Sequence, residues 1–116
     1  MKEKTIRIAG KEYQIVFNLQ TILNFEEMAN ISFFGEDFHR FIHKIYLVAS
    51  AIYAANDKAD IKAEDMMKVD VNGVYDIIEA YNQTMQMANE FFKVPEVAKP
   101  EEPEPEKTEG DEKPKN

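Results

Sequence analysis

Cysteine is absent from the 116-residue chain and serine occurs only at Ser32 and Ser50. Without cysteine there is no disulfide framework, no thiolate nucleophile and no zinc-finger ligand set. The absence fits a cytosolic protein. Neither serine lies in a nucleophile-elbow context, and the four glycines form no phosphate loop or dinucleotide fingerprint. Excess positive charge is missing as well. Fourteen Lys and Arg stand against 22 Asp and Glu, a net charge of −8 with a pI near 4.8. That balance argues against nucleic acid and anionic membrane, both of which select basic patches. Long apolar runs are lacking: the longest nearly apolar stretch is Ile45 to Ala55, well short of the roughly 20 residues a spanning helix needs. The first ten residues alternate charged with apolar character and carry no signal-peptide core. Proline is absent before Pro95; all five prolines fall at 95, 100, 103, 105 and 114. From Pro95 to Asn116 there are eight acidic and four basic residues and little to bury. Such a segment cannot offset its ordering entropy and is expected to be disordered.

What is present is one strongly apolar helix. Phe38, Phe41, Ile42, Ile45, Val48, Ala49, Ile52 and Tyr53 recur at helical spacing, and Leu47, Ala51 and Ala54 fill the other side. The periodicity predicts a helix over 38–55, apolar nearly all round from Ile45 and therefore buried on most sides. Glu36 and Asp37 place negative charge before it, which suits its dipole.

Around that post the remaining elements are readable. Thr5–Ile8 and Tyr13–Phe17 flank Gly10-Lys11 and predict a hairpin. A type II′ turn on Gly10-Lys11 would set Ile8 opposite Tyr13 and Ile6 opposite Ile15. Ile6, Ile8, Tyr13, Ile15 and Phe17 then share one face. A second helix is expected over about 19–29, capped by Asn18 and stopped by Asn30. Its expected core face is Leu19, Ile22, Leu23 and Met28, with Phe25 at the flank. Ile61 to Met67 reads as a helical turn or two. A last helix is expected from about Gly73 to Phe92, capped by Asn72, with Val74, Ile77, Ile78, Tyr81, Met85, Ala88 and Phe92 inward. The expected class is α+β, mostly α. A two-stranded hairpin packs on a small helical bundle within 1–93, followed by a disordered acidic tail over 94–116.

Candidate chemistry is thin. His39 and His43 are spaced i, i+4, as zinc ligands can be, but no supporting ligand set accompanies them; two polar residues on the solvent face is the commoner arrangement. Glu26-Glu27 and Glu64-Asp65 are neighbouring carboxylates. Adjacent helix positions point about 100° apart and do not share a substrate, so solvated helix surface is the expectation. Asp70-Val71-Asn72-Gly73 lacks the further acids of a calcium loop and reads as a turn and cap. No catalytic residue, metal or cofactor is implied. The remaining candidates are apolar: Phe33, Phe34, Met66, Met67, Met85, Met87 and Phe91. Adaptable methionine and aromatic side chains suit a protein partner, although core is the first expectation for each in a small domain. The hairpin leaves two strand edges open to pairing, of a kind often protected by shortness and charge.

The N-terminal half also resembles a family. Ile6-Arg7-Ile8-Ala9-Gly10-Lys11-Glu12-Tyr13, Phe17-Asn18-Leu19, Phe25-Glu26-Glu27-Met28-Ala29-Asn30-Ile31-Ser32 and Tyr53-Ala54-Ala55-Asn56 look like the tail assembly chaperones of long-tailed bacteriophages and prophages of the Gram-positive type. The resemblance spans about residues 4–92; the acidic tail has no counterpart in the pattern. It implies a non-enzymatic protein of the bacterial host cytoplasm that coats the tape-measure protein and helps recruit tail-tube subunits. The alternative is a generic small acidic bacterial interaction module with a partner unrelated to tails.

Overall fold

A computed structural model of the chain describes residues 2–36, 38 and 40–93. The elements run β1 (Lys4–Ile8), β2 (Lys11–Ile15), α1 (Leu19–Ala29), α2 (Phe41–Ala55), α3 (Ala63–Met66) and α4 (Val71–Phe91). This is the expected α+β, mainly helical class, with a hairpin ahead of four helices. The segment 94–116, read from composition as disordered, lies outside the described residues, as do Asp37 and His39.

The expected post is there. Leu47, Val48, Ala49, Ser50, Ala51 and Ile52 are consecutive and fully buried, so α2 is enclosed on every side. It packs against α1, β2, α3 and α4, while α4 also lies on β1. Two backbone carbonyls of α2 are tied to its neighbours: Val16 N–H donates to Ala51 O at 3.3 Å and Asn24 Nδ2 to Ser50 O at 3.3 Å. The buried Ser50 hydroxyl donates to Tyr46 O one turn back, at 2.6 Å, as a serine inside a helix commonly does.

Three boundaries differ from expectation. First, α2 starts at Phe41, not Phe38. The Phe38 ring sits 4.8 Å from Phe25 and 5.6 Å from Phe33. Burial in that aromatic cluster fixes Phe38 ahead of the helix, and Arg40 is extended. Second, α4 starts at Val71 with Asp70 as its cap, not Asn72; the Asp70 carboxylate accepts from Gly73 N–H at 3.0 Å. Gly73 lies in the first turn because a Cβ there would come within 2.3 Å of Val69 Cβ. Third, the hairpin register differs.

The strands pair Ile6 with Tyr13, Arg7 with Glu12 and Ile8 with Lys11, so the loop is Ala9-Gly10 and not Gly10-Lys11. Both loop residues are left-handed, Ala9 at φ 53° and Gly10 at φ 85°, as a type I′ turn requires. The change moves partners by two, so the faces survive: Ile6, Ile8 and Ile15 are buried and Tyr13 is half-buried. On the outer face Gln14 Nε2 donates to Thr5 Oγ1 at 2.8 Å, and Arg7 meets Glu12 at 3.6 Å. The turn is fixed from outside the hairpin. The Ala9 N–H donates to Asp76 Oδ2 on α4 at 3.1 Å. That charge-assisted bond offsets the steric cost of a left-handed alanine.

α1 keeps its predicted bounds and caps. Asn18 Oδ1 accepts from Thr21 N–H at 3.1 Å, Thr21 Oγ1 accepts from Asn18 N–H at 3.1 Å, and Asn30 is left-handed. Its buried face is Thr21, Ile22 and Phe25, while Leu19 and Leu23 point outward. The rotation follows from Thr21: its hydroxyl donates to Val16 O at 2.9 Å, which satisfies it and turns that side inward. α4 is rotated likewise. Ile77, Ala80, Thr84, Met87 and Ala88 are buried and Phe92 is exposed. The buried Thr84 Oγ1 is satisfied by Ala80 O at 2.8 Å.

Two measurements test this architecture. Ala9→Asn creates the Asn-Gly pair that type I′ turns favour and should raise stability by about 0.5–1 kcal/mol in urea unfolding; a loss would contradict the turn. Tyr53 donates to the Ile61 carbonyl, tying α2 to the segment before α3. Its phenol pKa is raised by burial and secondarily by the Asp65 charge, and that of Tyr81 by burial. A raised phenol pKa favours the folded, neutral form. Its contribution is full below the ordinary tyrosine value of about 10 and is lost as pH rises beyond it. Thermal melts should fall above that pH, and Tyr53→Phe/Tyr81→Phe should flatten the fall.

Candidate functional site

The chain holds eight phenylalanines, and seven of them form one connected set of ring contacts. Phe25, fully buried on α1, meets Phe33 at 5.9 Å and Phe38 at 4.8 Å. Phe33 meets Phe17 at 5.8 Å, Phe34 at 5.1 Å and Phe92 at 6.4 Å. Phe17 in turn meets Phe91 at 5.5 Å and Phe92 at 5.9 Å, and Phe34 meets Phe92 at 5.8 Å. Most of these pairs are tilted or edge-on, the arrangement the ring quadrupole favours. The network runs from the core to the surface. Its inner rings, Phe17, Phe25 and Phe33, are buried; its outer rings, Phe34, Phe91 and Phe92, are 69%, 46% and 44% exposed.

Each outer ring is placed by a local feature. Glu26 Oε2 accepts from Phe33 N–H at 2.8 Å, which draws the 31–35 loop onto the end of α1 and sinks Phe33. Ser32 Oγ accepts from Phe34 N–H at 3.1 Å, and Gly35 N–H closes a turn on Ser32 O at 3.1 Å. With Phe33 inward, the next side chain faces out. Phe91 and Phe92 lie at the end of α4, where Phe92 N–H still donates to Ala88 O at 3.0 Å. Leu19 and Leu23 on α1 are exposed as well. The three outer rings touch one another, and grouped exposed aromatic surface of this kind marks an interaction site more often than scattered single residues do.

Only part of the predicted set belongs here. Phe34 and Phe91 are on this surface. Phe33, Met66 and Met87 are buried in the core and Met85 is half-buried, so they serve packing. Met67 is exposed but elsewhere, beside Met28, Tyr46 and Lys62 next to α3. Periodicity predicts Phe92, Leu19 and Leu23 inward, and all three are exposed. Periodicity alone carried no signal for this, because it reports a stripe and not which side a neighbour covers.

The polar candidates resolve into structural roles. His43 is buried, not on the solvent face; its Nδ1 accepts from Arg40 N–H at 3.4 Å and its ring lies edge-on to Phe25 and Phe38. Glu26 holds the Phe33 amide, as above, and Glu27 is exposed. Asp65 Oδ2 accepts from Lys62 N–H at 2.9 Å at the start of α3, with Glu64 exposed beside it. Asp70 caps α4. Among the described residues no three His, Asp or Glu side chains are grouped to hold a metal ion, and no helix is long and apolar enough to cross a membrane.

The two ends of the aromatic network differ in what they stabilise. Phe25→Ala should cost about 3–5 kcal/mol by leaving a cavity. Phe34→Ala should change stability by about 0.5 kcal/mol or less, as surface substitutions do. Equal costs in denaturant unfolding would show that Phe34 is a core residue.

No family model, no curated protein and no solved structure matches this chain.

Proposed function

We propose that the protein is a non-enzymatic binding protein whose working surface is the aromatic patch of Phe34, Phe91 and Phe92. The observation that carries this reading is that three phenylalanine rings are kept in contact with solvent at the rim of an otherwise buried aromatic network. Aromatic side chains, phenylalanine among them, are enriched at the cores of protein interfaces. The anchoring lowers the ordering entropy a partner must overcome.

The specific role we propose is that of a phage or prophage tail assembly chaperone, binding the tape-measure protein and assisting tail-tube assembly in the bacterial host cytoplasm. It rests on the resemblance of residues 4–92 to that family. An acidic domain with a small apolar patch suits a factor that shields apolar segments while staying soluble itself.

The test is co-expression with a tape-measure protein encoded near this chain's gene. The chain should keep that partner soluble and co-purify with it, and Phe34→Ala/Phe92→Ala should lose both effects. Unchanged aggregation of the partner, with no co-purification, would reject the tail-assembly role.

A further inference from the structure

The outer edge of β2 is only partly covered by the rest of the molecule. A two-residue loop makes Ile8 and Lys11 a pair that exchanges both backbone bonds, and such pairs alternate along an antiparallel ladder. Lys11, Tyr13 and Ile15 therefore spend their backbone groups on β1, while those of Glu12, Gln14 and Val16 point away from it. At Val16 the outward groups are taken up. Its N–H donates to Ala51 O on α2 at 3.3 Å, and its carbonyl accepts from Thr21 Oγ1 at 2.9 Å. Among the described residues, no hydrogen bond engages the outward N–H or C=O of Glu12 or Gln14. These groups open into a groove of about 510 Å³, lined across from the strand by Ile52, Asn56, Lys58, Ala59 and Asp60. Clefts of that size hold ligands. Both ends are tied: Lys11 Nζ meets Asp60 Oδ2 at 3.1 Å near the turn, and the Val16–Ala51 bond joins strand to helix at the other end.

Backbone donors and acceptors left open at every second residue are what one more strand completes. We propose that the β2 edge is a docking site for a short extended segment of a partner protein, which pairs antiparallel with Glu12 and Gln14 and exchanges both backbone bonds with each. The segment's residue opposite Tyr13 points to the inner face, where Tyr13 and Ala59 are half-buried beside Ile52, and an apolar side chain fits there. Its two neighbours point to the outer face beside Glu12 and Gln14 and are polar. The charges lining the groove balance, Lys11 and Lys58 against Glu12 and Asp60, so selectivity rests on this alternation and not on net charge. A second copy of the chain is the poorer occupant, because it brings its own 56–60 wall into the same groove. None of the groove residues belongs to the aromatic patch, so this site does not depend on the role proposed above.

The probes are fluorescent threonine-rich peptides of about seven residues with valine, phenylalanine or lysine at the centre. Binding to the full chain is followed by anisotropy and by amide shifts of the isotope-labelled protein. An apolar-centred peptide should bind at least about tenfold more tightly than the lysine-centred one. It should shift the amides of Glu12, Gln14 and Ala59 and leave those of Phe34, Phe91 and Phe92 in place. Methylating the peptide amides on either side of the centre, which face β2, should weaken binding at least about tenfold; methylating the central amide, which faces away, should change it by about twofold or less. Gln14→Pro removes an outward N–H without taking a bond from β1 and should abolish binding, with folding checked by a thermal melt. Gln14→Ala loses only the side-chain bond to Thr5 and should bind normally, as should Phe34→Ala/Phe92→Ala.

Binding of none of the three peptides would overturn the proposal, and so would binding whose response to methylation does not alternate. The methylation series uses the unaltered chain and decides the question even if Gln14→Pro fails to fold. Shifts at Phe34, Phe91 and Phe92 in place of Glu12 and Gln14, or binding lost in Phe34→Ala/Phe92→Ala, would move the peptide to the aromatic patch and remove the edge site. Shifts of Glu12 and Gln14 that grow with protein concentration in the absence of peptide, with a dimer in sedimentation, would give the edge to a second copy and overturn the extended-segment assignment. The tail-assembly role can fail in its co-expression test with each of these results unchanged.

Discussion

The fold depends on the all-round burial of one helix. From Leu47 to Ile52 every side chain of α2 is out of water, and a helix with no polar face is stable only if each side is covered. A chain of this size can do that only by surrounding the helix. α1, α4, the hairpin and α3 each take one side. The arrangement also constrains polar atoms, since any unsatisfied group at this depth would cost about 1–3 kcal/mol. Ser50, Thr21 and Thr84 are the buried hydroxyls, and each donates to a carbonyl on its own helix or next to it. Thr21 also bears on orientation, because its partner carbonyl lies outside α1, whereas Thr84 is satisfied within α4 itself and can be buried without a partner from another element.

A second consequence concerns the aromatic network. Rings that stabilise the interior and rings that meet solvent belong to one contact set, so the patch is held from beneath. Phe33 is the link. It touches Phe17, Phe25 and Phe38 on the inside and Phe34 and Phe92 on the outside, and Glu26 fixes its backbone. A partner approaching such a surface meets side chains whose rotamer freedom is already reduced.

Local chemistry made much of this visible in advance. The capping residues Asn18 and Asn30 bounded α1 to the residue, because a cap is decided within one turn of the chain. Alternation in the hairpin settled which side chains face inward, because a strand has period two. The run from Ile45 marked α2 as the buried element, because no polar stripe was available to face water. Residue type alone makes Phe34 and Phe91 candidates for an apolar surface, and both rings are exposed.

The tertiary structure decided the rest, and in each case the reason is a contact distant in sequence. The hairpin turn is Ala9-Gly10 because Asp76, 67 residues away, accepts from the Ala9 amide. His43 is buried because Phe25 and Phe38 close over its ring. Leu19, Leu23 and Phe92 lie at the surface because packing on α2 rotated α1 and α4 about their axes. The sequence by itself therefore determined the elements, the caps of α1 and the buried post, since those follow from periodicity and from interactions within a few residues. Which apolar side chains remained in water was decided only when the elements met, because burial depends on the neighbour and not on the residue.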